Sequence, residues 1–402
     1  MKNSDELHIL HLPSWYLPEG GQFCRNQVQA LNANGIKTNI LANVTIALRK
    51  YGLKKMFSFP KSTFMSHEDN IHVFRHYHIS LPLLKKLDGI LWSHQTLYLF
   101  KKYCKIYGKP DVIHVHSVLW GGYAAYLIKK HTDIPYLITE HKGIFGFSCQ
   151  YAKEQFMPWQ TPFMEKAFSN ASMIIPVSEN LIPKIKTFLK NDVPICVISN
   201  MVDTSFFYYK ERNTAKTEIK AVMVNGFSYS KAYDILLPAI DIVLGKVKNL
   251  ELTIVGEDFY GEKFDEIWGK VVYKDRIKFS GEVDKYGVRE ALWNADFYII
   301  SSRVESQSVS TLEALSTGLA VVCTEVIPVQ IANETNAIRV PVENIQELAN
   351  GIIQMVGMYA KYDRREIAEN LRKTADQQVI ASKITVAYQQ VLRSEITTNQ
   401  NA

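Results

Sequence analysis

Two doubly wound α/β domains in tandem are the fold class this chain predicts, on three observations. Strand-length apolar runs alternate with helix-length amphipathic stretches from residue 7 to residue 393. Polar and glycine residues recur where one strand after another ends. The alternation breaks once, at the polar and aperiodic KERNTAKTEIK (residues 210–220), and then restarts. With 402 residues the chain is too long for one ordinary core. The expected divisions are 1–205, 206–375 and 376–402, the last carrying the end of a helix (about 374–393) that returns to brace the first domain.

In the first domain the apolar LHILHL (residues 7–12) ends at Pro13, and PSWYLPEGGQF leads into the amphipathic RNQVQALNANG, stopped by Gly35. A strand, a Gly-containing loop and a helix open a doubly wound sheet, whose ligands gather at the carboxyl ends of strands. Gly20 and Gly21 allow close backbone approach, although a tight turn alone would also want them. Further strands are expected at residues 37–41, 71–77, 112–115, 136–139 and 173–177, which predicts a parallel sheet with helices on both faces. Three strands end in polar residues: His116 and Ser117 after VIHV, Thr139, Glu140 and His141 after YLIT, and Ser178 after IIPV. Such residues line a cleft. For His116 alone a packed histidine competes with a ligand-facing one, and the company of Glu140 and His141 favours the cleft.

The second domain reads AVMVNGF, a helix over 231–245, LELTIVGED, RIKFSGEV, a helix over 285–293, DFYII, the stretch 299–323, AIRVPV and a helix over 346–358. Asn225 and Gly226, Gly256 and Glu257, Gly281 and Glu282, and residues 301–308 end its strands. Residues 299–323 (IISSRVESQSVSTLEALSTGLAVVC) concentrate the chemistry: a buried strand runs into a Ser-rich turn with Glu305, then a short helix with Glu313, closed by Gly318. Ser308 or Ser306 suits the N-cap, and the first-turn N–H groups make an anion site. At about 1.5 Å rise per residue, Glu313 lies roughly 7 to 8 Å along the axis from Ser308. A ligand with phosphates at the helix start and a diol further on fits that spacing, with Glu305 facing its other end. As isolated carboxylates, Glu305 and Glu313 would be a loop charge and a solvated helix residue. Lys231, read as a first-turn residue of the helix after Asn225, opposes the helix dipole and invites a functional role. With the Ser308 helix start it supplies two cationic elements for one diphosphate. The chain has no G-x-x-x-x-G-K-[ST], no G-x-G-x-x-G and no Asp-x-Asp, which removes the simplest signature of a metal-held nucleotide.

Hydrophobic residues at 47% with 21% charged describe a soluble globular protein, and no run reaches the roughly 18 apolar residues of a spanning helix. MKNSDELHIL lacks the pattern of a secretory signal, so a cytoplasmic location is expected. Five cysteines, odd in number and never C-x-x-C, read as reduced packing thiols. Charge is uneven: residues 1–200 carry 23 Lys and Arg against 13 Asp and Glu, the remainder 23 against 27. All eleven histidines lie at or before His141. The basic, apolar-flanked runs at residues 47–57, 81–86 and 100–109 suit an anionic membrane surface, with ordinary solvated helix faces as the alternative. Nucleic acid is not expected, since no binding motif or long basic stripe occurs.

In order, PSWY…GGQFCRNQVQAL, PDVIHVHS, LITEHKG, IIPVSENL, VISNMVD, VNGFSYSKAYDILLPA, LTIVGED, RIKFSGEV and SSRVESQSVSTLEALSTGLAVV resemble the blocks of the retaining nucleotide-sugar glycosyltransferases of family 4. The resemblance covers residues 7–393 and includes the family's paired glutamates, Glu305 and Glu313. It implies the GT-B fold: two facing Rossmann-like doubly wound domains with an interdomain cleft, the first for acceptor and the second for donor. It implies transfer from a nucleotide sugar, UDP- or GDP-linked, to a glycan or lipid-linked oligosaccharide acceptor in surface polysaccharide synthesis, without metal or other cofactor. By the same resemblance Glu313 holds the ribose hydroxyls, Glu305 contacts the transferred sugar, and Lys231 binds the diphosphate with N–H groups near Ser308 and Val309. Gly21 lets the first loop approach the phosphate, and His116 lies beside the sugar. Where the family commonly has Gly-Arg, this chain has Asn225 and Gly226, so a second diphosphate cation is missing, and Ala232 replaces the Gly that usually follows the Lys. Two competing readings are a non-catalytic GT-B nucleotide-binding protein and a nucleotide-sugar epimerase, the second lacking any motif for its acid/base carboxylates.

Overall fold

A computed structural model describes residues 7–18, 20–46, 59–60, 63–80, 83–146, 150, 155–211, 218–257 and 259–400; the basic run at 47–57 lies outside them. The chain divides into two units, one of residues 1–142, 156–199 and 378–402, the other of residues 143–155 and 200–377.

The first unit is built on strands β1 (His8–Pro13), β2 (Lys37–Ile46), β3 (Phe64–Glu68), β4 (Ile71–Ile79), β5 (Val112–His116), β6 (Tyr136–Glu140) and β7 (Met173–Pro176), in the order β3-β4-β2-β1-β5-β6-β7. The chain winds outward from β1 to one edge, then returns to β5 and winds to the other, so the order reverses between β1 and β5. Strands β1, β5 and β6 are buried along their whole length, which is why they read as apolar runs. The sheet is not wholly parallel, as the alternation predicted: β3 pairs antiparallel with β4. Asp69 and Asn70, at φ 45° and 66°, join them in a two-residue hairpin turn of the kind that needs two left-handed residues. That Asp-Asn between two β-rich runs was the available signal.

Gly21 precedes the helix Gln22–Ala33 at φ 84°, and a Cβ there would meet the Trp15 carbonyl oxygen at 2.6 Å. The turn therefore requires glycine on its own account. The helix Lys85–Tyr107 buries Trp92, Leu99, Phe100 and Tyr103, and leaves Leu87, Leu91, His94, Tyr98, Lys101 and Lys105 exposed along one stripe. Leu83, just before it, is 95% exposed. The terminal helix Gln377–Gln400 belongs to this unit from residue 378 onward, with Tyr388 fully buried.

The second unit carries β8 (Ile219–Val224), β9 (Leu250–Val255), β10 (Ile277–Phe279), β11 (Phe297–Ile300), β12 (Ala320–Thr324) and β13 (Ala337–Val340), all parallel, in the order β10-β9-β8-β11-β12-β13. Its order reverses between β8 and β11, whose pairing sets Tyr298 opposite Val222. The loops after those two strands carry Lys231 and Glu305. Two helices went unread in the sequence, Glu262–Gly269 and Arg364–Ala375. Asp363 caps the second by accepting from the Arg365 and Glu366 N–H groups. No described helix is long and apolar enough to cross a membrane.

Candidate functional site

Between β8 and the helix Tyr233–Lys246 the chain passes Asn225 and Gly226, then a tight turn, Tyr229–Lys231. Lys231 thus closes a 3-10 turn and is not in the first helical turn as the sequence reading had it. Ala232 separates the two elements at φ 53°, a left-handed residue that resets the chain direction. Lys231 therefore precedes the helix, and the direction of its backbone is set by the turn. Ser301 Oγ donates to the Lys231 carbonyl at 2.8 Å, and the Arg303 N–H donates to the Ser230 carbonyl at 2.7 Å. These two bonds tie the Lys231 turn to the loop after β11.

That loop delivers Glu305. Its Oε1 lies 2.5 Å from Lys231 Nζ and accepts from Ser302 Oγ at 2.9 Å. The side chains are 21% and 11% exposed, so the pair is largely withdrawn from solvent but still reachable. The sequence-predicted cation and carboxylate therefore meet at the switch point of the sheet. A phosphate arriving there must compete with Glu305 for Lys231.

Ser308 is the N-cap of the helix Val309–Ser316, accepting from the Thr311 N–H at 3.3 Å. The N–H groups of Val309 and Ser310, ahead of the first intrahelical bond, are those that remain for an anion. Glu313 lies one turn further, partly buried. Burial pushes its carboxyl up to about 7, and among the described residues no side chain or N–H donates to it. A carboxylate held this way is poised to accept from hydroxyl donors that a ligand brings.

Three residues that sequence reasoning did not single out, Arg303, Tyr298 and Asn200, hold this arrangement together. Arg303 is 2% exposed; its guanidinium donates twice to Asp234 (2.8 and 2.6 Å), to the Tyr229 carbonyl (2.8 Å) and to Glu343, and stacks on the Tyr229 ring. It pins the Lys231 turn against the Glu305 loop, and all of its guanidinium donors are used in doing so. Replacing Arg303 with Met is expected to cost about 1–2 kcal/mol, read as a lower urea midpoint, because the hydrogen bonds that join the two loops are lost while Asp234 and Glu343, 47% and 36% exposed, can turn to water. Tyr298 sends its hydroxyl to Ser310 Oγ at 2.9 Å, under the helix start. Asn200, from the VISNMVD block, donates through its N–H to Gln307 Oε1 at 2.5 Å and through Nδ2 to the Gln307 carbonyl at 3.3 Å. Gly226 and Gly256 let two strand ends abut: a Cβ on Gly256 would strike the Asn225 carbonyl oxygen at 2.4 Å. Asn225 Nδ2 reaches the Tyr298 hydroxyl at 3.5 Å.

In the first unit His116 is fully buried, with Nε2 2.9 Å from His11 Nδ1 and Nδ1 3.2 Å from His141 Nε2. Of its two ring partners, His11 is fully buried and His141 is partly exposed. Glu140 does not line a cleft either. It is fully buried, accepting from Ser117 Oγ and from the Val118, His141 and Lys142 N–H groups, all at 2.9 Å. Burial raises its pKa against those donors, and its role is to shape the turn that carries His141.

Comparison with solved structures identifies the fold. Sucrose-phosphate synthase from Thermosynechococcus elongatus superposes with a TM-score of 0.77 at 17% identity, over 97% of this chain and all of that one. HepE from Anabaena in complex with UDP-glucose does so with a TM-score of 0.71 at 13% identity, over 96% of this chain and all of that one. The fold is GT-B, as the sequence led us to expect. The family model described as Glycosyltransferase Family 4 matches residues 21–206, and that described as Glycosyl transferases group 1 matches residues 218–357. TuaC of Bacillus subtilis strain 168, named for teichuronic acid biosynthesis, is 23% identical over 96% of this chain and 97% of its own. The phosphatidylinositol N-acetylglucosaminyltransferase GPI3 subunit of Saccharomyces cerevisiae strain YJM789 is 24% identical over 63% of this chain and 57% of its own. The chain belongs to the family 4 glycosyltransferases.

Proposed function

We propose that this glycosyltransferase is a retaining enzyme that moves a sugar from a UDP- or GDP-sugar to a glycan or lipid-linked oligosaccharide in the synthesis of a surface polysaccharide. The observation that carries the reading is the Lys231–Glu305 pair at the β8/β11 switch point, beside a capped helix start and an unpartnered Glu313. Lys231 and the N–H groups of Val309 and Ser310 take the diphosphate, Glu313 the ribose hydroxyls and Glu305 the sugar; Asn225 and Gly226 form the adjoining strand end. Departure of the nucleoside diphosphate builds negative charge, which preorganised donors stabilise more in the transition state than in the ground state. No metal is assigned a part. From the first unit, Gly21 serves through its loop and His116 through His141. The names of TuaC and of the HepE–UDP-glucose complex support a polysaccharide acceptor and a UDP-sugar donor.

The experiment is transfer and hydrolysis measured across a nucleotide-sugar panel, with and without EDTA. Turnover of one UDP- or GDP-sugar with the donor's anomeric configuration kept in the product, unaffected by EDTA, is expected; the opposite configuration would remove retention, and EDTA-sensitive turnover would remove metal independence.

We further propose that the enzyme works at the inner face of a membrane. The exposed stripe of Leu87, Leu91, Tyr98, Lys101 and Lys105, with Leu83 ahead of it, favours docking on anionic lipid. Flotation with phosphatidylglycerol vesicles should fall as salt rises, and should fall further in a Leu87→Ser/Leu91→Ser variant. Flotation equal in that variant and the wild type would remove the docking role of this stripe.

A further inference from the structure

Four histidines of the first unit form a cluster that neither the resemblance nor the family match explains. Strand register creates it. His11 pairs with His114, His116 follows two residues after His114 on the same face, and Thr139 pairs with His116 on the next strand. The rings of His11, His114 and His116 form a triangle at centroid spacings of 4.6 to 5.2 Å, tilted between His11 and His114 and stacked on the other two sides, and His141 stacks on His116 at 5.5 Å.

We propose that Tyr388 is a positioning residue: its hydroxyl closes one hydrogen-bonded chain running from Thr139 through His114, Tyr388, His11 and His116 to His141, and so fixes the tautomers of the histidines at the carboxyl edge of the first sheet. The links are Thr139 Oγ1 to His114 Nε2 at 2.7 Å, His114 Nδ1 to Tyr388 Oη at 2.6 Å and Tyr388 Oη to His11 Nε2 at 3.4 Å. They continue from His11 Nδ1 to His116 Nε2 at 2.9 Å and from His116 Nδ1 to His141 Nε2 at 3.2 Å. All members except His141 are buried. Burial, and for His114 and His116 the neighbouring rings, hold the three inner imidazoles far below their ordinary pKa, so they are neutral.

Neutrality makes the protons countable. Each neutral ring has one N–H, and Thr139 and Tyr388 one O–H apiece. With one N–H from His141 the six members carry six protons for five links. Donation in one direction throughout, from Thr139 toward His141 or the reverse, fills every link. Donation from both His114 and His11 into Tyr388 also fills them, since a phenol oxygen can accept twice, but it leaves the buried Tyr388 O–H without an acceptor among the described residues, at a cost of about 1–3 kcal/mol. His11 and His116 change tautomer only together, because a change in one alone would set two protons in one link and none in the next. Removal of the Tyr388 hydroxyl cuts the chain of bonds, and the His11–His116–His141 segment is then free to choose its direction independently of His114.

The same three rings, with ligand atoms within 4.8 Å of one another, have the spacing of a candidate metal site. Both nitrogens of His11, His114 and His116 already have hydrogen-bond partners, so the cluster is satisfied without an ion. The catalytic consequence rests on the reading above that His116 serves the transfer through His141.

The test uses histidine ring 15N shifts of the full-length protein, wild type and Tyr388→Phe, beside steady-state kinetics with the donor identified by the panel. Expected are single neutral tautomers of one common direction in the wild type and mixed tautomers of His11 and His116 in the variant. Its kcat should fall roughly 10-fold with KM for donor unchanged. Mixed or charged rings in the wild type overturn the proposal, and that measurement stands even where the variant does not fold. Unchanged tautomers in the variant, or stoichiometric zinc in the purified protein, also overturn it. Mixed tautomers with unchanged kcat support the Tyr388 role and overturn only the part assigned to His116 in transfer.

Discussion

Replacing Lys231 with Met is expected to lower kcat for sugar transfer by about 10²- to 10³-fold, the loss that follows removal of one preorganised donor to a developing anion. The side chain is well placed for that loss, because the Ser301 and Arg303 bonds hold its turn and Glu305 holds its Nζ before any donor arrives. The substitution also strands Glu305, so a stability effect must be separated from a rate effect. A Lys231→Met/Glu305→Gln double variant does this: it removes the unpaired carboxylate and recovers stability, while turnover stays low. Single-turnover kinetics at saturating donor read the chemical step directly. A Lys231→Met enzyme with wild-type kcat and only a raised KM would place Lys231 in ground-state binding and end its catalytic assignment.

The second large effect is a trade between stability and affinity at Glu313. Its folded carboxyl titrates at about 7, against a reference value of 4.5, because burial disfavours its charge. The folded state therefore binds this proton more tightly than the unfolded chain does. Its contribution is fully present below pH 4.5 and is lost as pH rises through 7. Glu313→Gln keeps the shape and removes the charge. Its melting temperature should exceed the wild type's at about pH 8 and match it at about pH 4.5. Uridine diphosphate affinity should fall roughly 10- to 100-fold, because hydrogen bonds from ribose hydroxyls to a carboxylate are charge-assisted. Calorimetry of UDP binding near neutral pH, in buffers of different ionisation enthalpy, should show proton release from Glu313 in excess of that in the variant. Equal affinities in the two proteins would remove Glu313 from the ribose site.

Much of this was legible in the chain. The buried strands appear as apolar runs because parallel strands covered on both faces have no polar side to show. Ser308 was readable as a cap because capping is a bond over three residues. Elsewhere a local rule was available and went unused, as at Asp69 and Asn70, whose turn makes the antiparallel edge. Lys231 was misplaced by a turn because Ala232 adopts a left-handed conformation that alanine's preferences do not advertise.

The sequence by itself determined most of the strands and helices, though not β3 or the helices Glu262–Gly269 and Arg364–Ala375, and where polar and glycine residues gather at strand ends, since periodicity, caps and block order act over short stretches of chain. Only the tertiary structure decided how those side chains are held. Arg303 reads as a loop charge until Asp234 and Glu343, 69 and 40 residues away, close on it. His116 reads as cleft-lining until strand register and a tyrosine 274 residues beyond His114 bury it in a cluster. Burial and partner choice depend on which distant segments the strand order brings together, and no local pattern encodes that order.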